Sequence, residues 1–292
     1  MIRIAVRSAF LLLAIVALPA EAATRVVASI YPLALVTAAV AAPDTEIRHL
    51  VPATASTHDF QLSPADLELV STADIVVWAG PDAEPYLASA LAKPREGQRV
   101  ITMSRLPGVV LRGHRLDLGD TRDRGRDPHL WLSTRNAALL ATAIAAQLGT
   151  APLAQNFTNE MQRYRNRQAK RFAPLAKAPL LVAHDAYGYL FDELGLLNAS
   201  AVTVEPGIAP SARRVSDLAQ RVEKEKIGCM IGEAGFTEGI GPRLFEAALA
   251  AGGKANLVVI DPQLSGISLS RDSYALALTH LADTLYACIV TR

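Results

Sequence analysis

The chain has 292 residues, 51% hydrophobic and 20% charged, with a formal net charge of +1. That length suits two domains, and that composition builds a packed core and excludes a disordered chain. A net charge this close to zero supplies no bulk attraction to nucleic acid or to a membrane surface, so neither is expected as a partner.

Arg3 and Arg7 precede an apolar run, Ala9 to Leu18, and Pro19-Ala20-Glu21-Ala22-Ala23 follows. A positive start, a short apolar stretch and a small-x-small exit predict a secretory signal peptide over 1–22, cleaved after Ala22. The run falls short of the roughly 20 apolar residues that span a bilayer. No cysteine near the cleavage point offers an atom for lipid attachment. The mature chain is therefore expected to be exported and soluble, with no membrane insertion.

Strand and helix then alternate. Val26–Ile30 reads as a strand, Pro32–Ala41 as a helix with proline in its first turn, and Ile47–Val51 as a second strand. Residues 52–63 are rich in Pro, Thr and Ser and form a loop that carries His58. Ser63-Pro64 opens a helix with Ser63 as N-cap. Ile75–Ala79 is a fully apolar strand of the buried parallel kind. Glu84–Leu91 reads as helix and Val100–Met103 as strand. Residues 112–127 interleave Arg and Asp with glycines around His114, and so predict an exposed, solvated loop. Asp127-Pro128-His129-Leu130-Trp131-Leu132 follows, and Ser133 or Thr134 caps a helix running to Leu148. Leu153, Phe157, Met161, Tyr164, Gln168 and Phe172 recur at three- and four-residue spacing, which predicts one helix over 152–177, roughly 39 Å long.

The second half repeats this grammar. Leu180–Ala183 is a strand followed by His184, and Tyr187–Leu194 is a helix ended by Gly195. Strands at Ala201–Val204, Cys229–Ile231 and Leu257–Ile260 alternate with helices at Val215–Lys226 and Pro242–Ala251. Ser273–Ile289 is the closing helix. The expected fold is α/β: two βα lobes with mostly parallel sheets, at 23–150 and 179–292, joined by one long rigid helix within 151–178. Cys229 and Cys288 in an exported chain favour a disulfide, with two buried thiols as the alternative.

Ligands of open α/β sheets bind beyond the carboxyl ends of the strands. His184 and Asp261 each directly follow a strand, and His58 and His129 lie on loops that can face the same cleft between the lobes. Imidazole and carboxylate are the usual ligands of a divalent transition metal. A lone histidine at a strand end is more often a hydrogen-bonded structural residue, and no His-Glu-x-x-His pattern is present, so the residues alone leave both readings open. His49 and His280 read as structural. Glu205, Glu233, Asp59 and Asp185 are candidates for supporting the ligands rather than binding metal.

Several stretches resemble the periplasmic zinc-binding proteins of high-affinity ABC uptake systems. They are Thr57-His58-Asp59-Phe60-Gln61-Leu62-Ser63-Pro64, Ala73-Asp74-Ile75-Val76-Val77-Trp78-Ala79-Gly80-Pro81, Asp127-Pro128-His129-Leu130-Trp131-Leu132, Ala183-His184-Asp185-Ala186-Tyr187 and Asp261-Pro262. The resemblance implies two α/β lobes bridged by one long helix. It implies His58, His129 and His184 as Zn(II) ligands, with Asp261 as the fourth and a water as its competitor. It also implies an ABC permease as partner and a second-lobe disulfide between Cys229 and Cys288. Histidine rather than glutamate at position 184 suits zinc over manganese, the alternative cargo. The Arg/Asp-rich 112–127 differs from the His-rich loop of many such proteins, so metal capture by that loop is not expected. A zinc hydrolase and a surface adhesin are the competing functions. The first lacks a glutamate placed between two ligands on a helix, and the second lacks an anchoring cysteine.

Overall fold

The computed structural model describes residues 23–52, 60–114, 125–203, 210–233 and 256–291. His58, Asp59, Glu205 and the helix expected over Pro242–Ala251 lie outside the described residues, as do 1–22. In the first half, β1 (Arg25–Ala28), β2 (Glu46–His49), β3 (Ile75–Trp78) and β4 (Arg99–Thr102) form a parallel sheet in the order β2-β1-β3-β4. In the second, β5 (Leu180–His184), β6 (Ala199–Thr203), β7 (Cys229–Gly232) and β8 (Asn256–Val259) form another in the order β6-β5-β7-β8, again parallel. The two halves thus repeat one strand order. The central strands β3 and β5 are buried at every residue, as parallel strands covered on both faces must be.

Helices cover the sheets. α1 (Tyr31–Val40) is buried on nearly all sides, with Pro32 in its first turn, where a missing N–H costs little. α2 (Pro64–Thr72) begins with a capping box: the Asp66 N–H donates to the Ser63 hydroxyl and the Ser63 N–H to the Asp66 carboxylate. α3 (Thr134–Leu148) is capped by Ser133 and ends at Gly149 in the left-handed region. α4 (Ala151–Phe172) buries Ala154, Phe157, Met161, Tyr164, Gln168 and Phe172 along one stripe. The second half adds α5 (Gly188–Leu194), α6 (Ala212–Glu225) and α7 (Ser273–Val290). α7 is long and apolar enough to cross a membrane by length and composition. One side of it is used in packing, with Tyr274, Leu278, Leu281, Ala282 and Leu285 all buried, while Leu276 and Val290 are exposed.

Three expectations are corrected. The helix expected over Glu84–Leu91 is a single 3-10 turn, Pro85–Leu87. Glu84 leaves helical geometry at φ −138°, ψ 61° and turns its carboxylate back to accept from the Ala79 N–H at 2.6 Å. The long helix ends at Phe172 rather than 177, because Pro174 offers no N–H to continue it and a 3-10 turn follows. At 22 residues it is roughly 33 Å long. The described ends of the Arg/Asp stretch are solvated only in part, with Gly113, Gly125 and Arg126 exposed. Gly113 and Arg126 pair antiparallel, and Asp127 and the His114 ring are buried.

One hydrophobic cluster runs through both halves, from Val26 on β1 to Ile289 on α7. Polar contacts stitch the same boundary. The Trp131 indole N–H donates to the Pro262 carbonyl at 2.8 Å, the Tyr274 hydroxyl to the Trp131 carbonyl at 2.6 Å, and the Tyr164 hydroxyl to the Leu278 carbonyl at 2.8 Å. Cys229 of β7 and Cys288 of α7 form a disulfide with their Cα atoms 5.4 Å apart.

Candidate metal centre

His184 is the last residue of β5, at the carboxyl end of the second sheet. His129 precedes the 3-10 turn Leu130–Leu132, whose three apolar side chains are all buried and hold the backbone to the core. Two histidines 55 positions apart thereby meet, with Nε2 of His184 3.3 Å from Nε2 of His129. Both residues are almost fully buried.

The far nitrogen of each ring is held by a carboxylate. His129 Nδ1 lies 2.9 Å from Asp127 Oδ1, which also accepts the His129 backbone N–H at 3.0 Å. His184 Nδ1 lies 2.8 Å from Glu233 Oε1. The same Glu233 oxygen accepts from the Tyr187 hydroxyl at 2.9 Å. Burial first, and the adjacent Glu233 second, push the Tyr187 hydroxyl well above its ordinary range, so it stays protonated and donates. With a hydrogen on each Nδ1 pointing at a carboxylate, each Nε2 presents a lone pair, and the two lone pairs converge. Two nitrogens about 2.0–2.1 Å from a tetrahedral zinc lie about 3.3 Å from each other. The donor set and its spacing therefore fit a metal ion.

Asp261 sits just past β8, as expected. Its carboxylate accepts two backbone N–H groups, Gln263 on Oδ1 and Ser265 on Oδ2, both at 2.7 Å. Among the described residues, no three His, Cys, Asp or Glu side chains form a metal-holding group. The structure thus brings His129 and His184 together without Asp261, and His58 lies outside the described residues. His49 Nδ1 is 2.9 Å from the Val51 carbonyl, with its ring edge-on to Tyr31. His280 is on α7.

In sequence Asp127 closes a stretch expected to be a solvated loop, whereas in the fold it holds His129. The signal available was local: Asp two residues before His, with Pro between to keep Asp127 extended. Glu233 was named as a supporting residue, and it fills that place. Asp185 is buried and pairs with His114, at 3.3 Å between Oδ2 and Nδ1.

The family model described as zinc-uptake complex component A, periplasmic, matches residues 26–288. The chain is 29% identical over 298 residues to the high-affinity zinc uptake system protein ZnuA of Yersinia pestis, covering 92% of each chain. It is 27% identical over 329 residues to the protein of the same name from Haemophilus influenzae, covering 94% of this chain and 96% of that one. Among solved structures it is similar to the periplasmic zinc binding protein TroA from Treponema pallidum. The TM-score is 0.76 at 20% identity, over 91% of this chain and 99% of that one. The family match spans both sheets, the long helix and the histidine pair, and the chain belongs to the family of periplasmic A components of zinc-uptake complexes.

Proposed function

We propose that this chain captures Zn(II) in the periplasm and delivers it, as cargo, to an ABC-type permease for import. The observation that carries the reading is the facing of two buried Nε2 atoms at 3.3 Å, each ring fixed from behind by a carboxylate. His129 and His184 supply two ligands and His58 the third, with Asp261 or a water in the fourth position. The relatives of similar length that carry the zinc-uptake name support zinc as the cargo. In this reading residues 1–22 direct export and are removed, and the mature chain works as a soluble monomer. Its lobes are 23–150 and 179–292, joined through 151–178. The packing of α7 into the second lobe supports a chain that does not enter the membrane.

No catalytic role is proposed. A metal hydrolase needs a general base beside the metal-bound water. Asp127 and Glu233 sit behind the histidine rings, on the side away from the converging Nε2 atoms.

Calorimetric titration of the purified chain with Zn(II) and with Mn(II), alongside metal analysis, tests this. One zinc per chain should bind far more tightly than manganese. His129→Ala should weaken zinc by more than about 100-fold, the upper end of what losing a supporting partner costs. For Asp261→Ala, a loss below about tenfold assigns the fourth position to water, and a larger one to the carboxylate. Tighter manganese binding, unchanged affinity in His129→Ala, or zinc-dependent ester or peptide turnover would each defeat the proposal.

A further inference from the structure

Asp127 is a fully buried carboxylate, and a buried charge is tolerated only where it is paired and hydrogen-bonded. One oxygen serves His129. The other, Oδ2, accepts from Arg112 Nη1 at 3.3 Å. Arg112 sits on the strap that runs across the second lobe's α5. Its backbone N–H donates to the Tyr189 hydroxyl at 3.1 Å, and that hydroxyl donates to the Asp127 carbonyl at 3.2 Å. The Asp127 N–H returns to the Arg112 carbonyl at 2.9 Å. The guanidinium lies 5.6 Å over the Tyr189 ring, and its Nε is 3.1 Å from Asp192 Oδ2, an ion pair whose N–H is not aimed along the contact. Two carboxylates and an aromatic face thus hold one cation, with Tyr189 and Asp192 both on α5.

Gly188 makes this approach feasible. A Cβ there would lie 1.4 Å from Arg112 Nη1 and 2.9 Å from Asp127 Oδ2, so any side chain would displace the guanidinium. Glycine at the first position of a helix has no local conformational advantage to explain it. The close passage of Arg112 does.

We propose that Arg112 is a positioning residue for metal capture. Held by α5 across Gly188, it fixes the Asp127 carboxylate, which in turn sets the His129 ring so that Nε2 faces His184. The proposal rests on the metal-site reading above. It makes zinc affinity depend on a contact between the first-lobe strap and a second-lobe helix, although neither Arg112 nor Gly188 touches the metal.

The test measures zinc affinity by calorimetry, metal-free melting temperature, and the visible absorption of the Co(II)-loaded chain, which reports ligand geometry. Arg112→Ala should bind zinc about 10- to 100-fold more weakly, with a changed cobalt spectrum. Arg112→Lys should recover part of the loss, because it restores the charge but not the planar fork. Gly188→Ala should reproduce the Arg112→Ala defect, and the double variant should be no worse than the weaker single one, since both remove the same contact. Should Arg112→Ala fail to fold, Arg112→Lys and Gly188→Ala carry the test. Affinity within twofold of the parent and an unchanged cobalt spectrum in these variants would overturn the role of Arg112. So would additive losses in the double variant. If His129→Ala weakens zinc and the Arg112 and Gly188 variants do not, only this inference falls. If the parent chain binds no zinc, the metal reading falls with it.

Discussion

Glu84 is fully buried at the carboxyl end of the first sheet, where its Oε2 accepts the Ala79 N–H. Burial pushes its carboxyl up to about 7, against the opposing pull of the Ser29 hydroxyl and the Ala79 and Gly80 N–H groups. A raised carboxyl means that the folded chain keeps its proton where the unfolded chain has lost it. Stability from this group is full below about 4.5 and is lost as the pH rises towards about 7. The cost at neutral pH and above has a ceiling of about 3 kcal/mol. Glu84→Gln should therefore melt higher than the parent at pH 8, with the gain shrinking towards pH 5. A difference independent of pH would contradict the assignment. Residues of this kind were the least legible in the sequence. His129 and His184 could be picked out because they border strands and helices and because their neighbours resemble a known family. Glu84, Asp127 and Arg112 owe their roles to partners met only in the fold. Arg112 looked like one more charge in a solvated run, and nothing in its spacing points to Asp192 or Gly188.

At the scale of elements, α4 was the clearest feature of the sequence, and its buried stripe is the one its spacing predicts, with Ala154 buried and Leu153 only partly so. Met161 is fully buried in that stripe. Met161→Ala should cost about 2–5 kcal/mol in urea unfolding, through lost contact and the cavity left behind. A cost under 1 kcal/mol would mean that the helix is less tightly held than its packing implies. The Pro85–Leu87 turn was misread for a physical reason. Local propensity favours a helix there, but the carboxylate of Glu84 is drawn inward to the Ala79 N–H, and the backbone bends to follow it. Strands were legible within a residue or two, most plainly β3 and β5, because buried parallel strands are continuous apolar runs.

For the whole molecule, the two-lobe α/β plan was legible from alternation alone, and the repeated strand order of the two sheets agrees with it. The shared core was not, because hydrophobic periodicity says which face is buried but not against what. The disulfide joins positions 59 apart, which in a chain-entropy picture is worth about 4 kcal/mol. Reduction, or Cys229→Ser with Cys288→Ser, should lower the melting temperature accordingly, and equal melting with and without reductant would argue against that contribution. Closure of the core across the boundary, by Trp131 with Pro262 and Tyr274 with Trp131, suits a receptor whose halves move little.

That continuous core also bears on how the chain comes to be folded. α1 packs against α7, and the Tyr31 hydroxyl donates to the Ile267 carbonyl, 236 positions away. A chain synthesised from its N-terminus presents the part of α1 that α7 covers long before α7 exists, while α3 and α4 cover the rest. Contacts so remote in sequence form slowly, and uncovered apolar surface invites association meanwhile. The first half thus completes its burial only when α7 arrives to pack on α1.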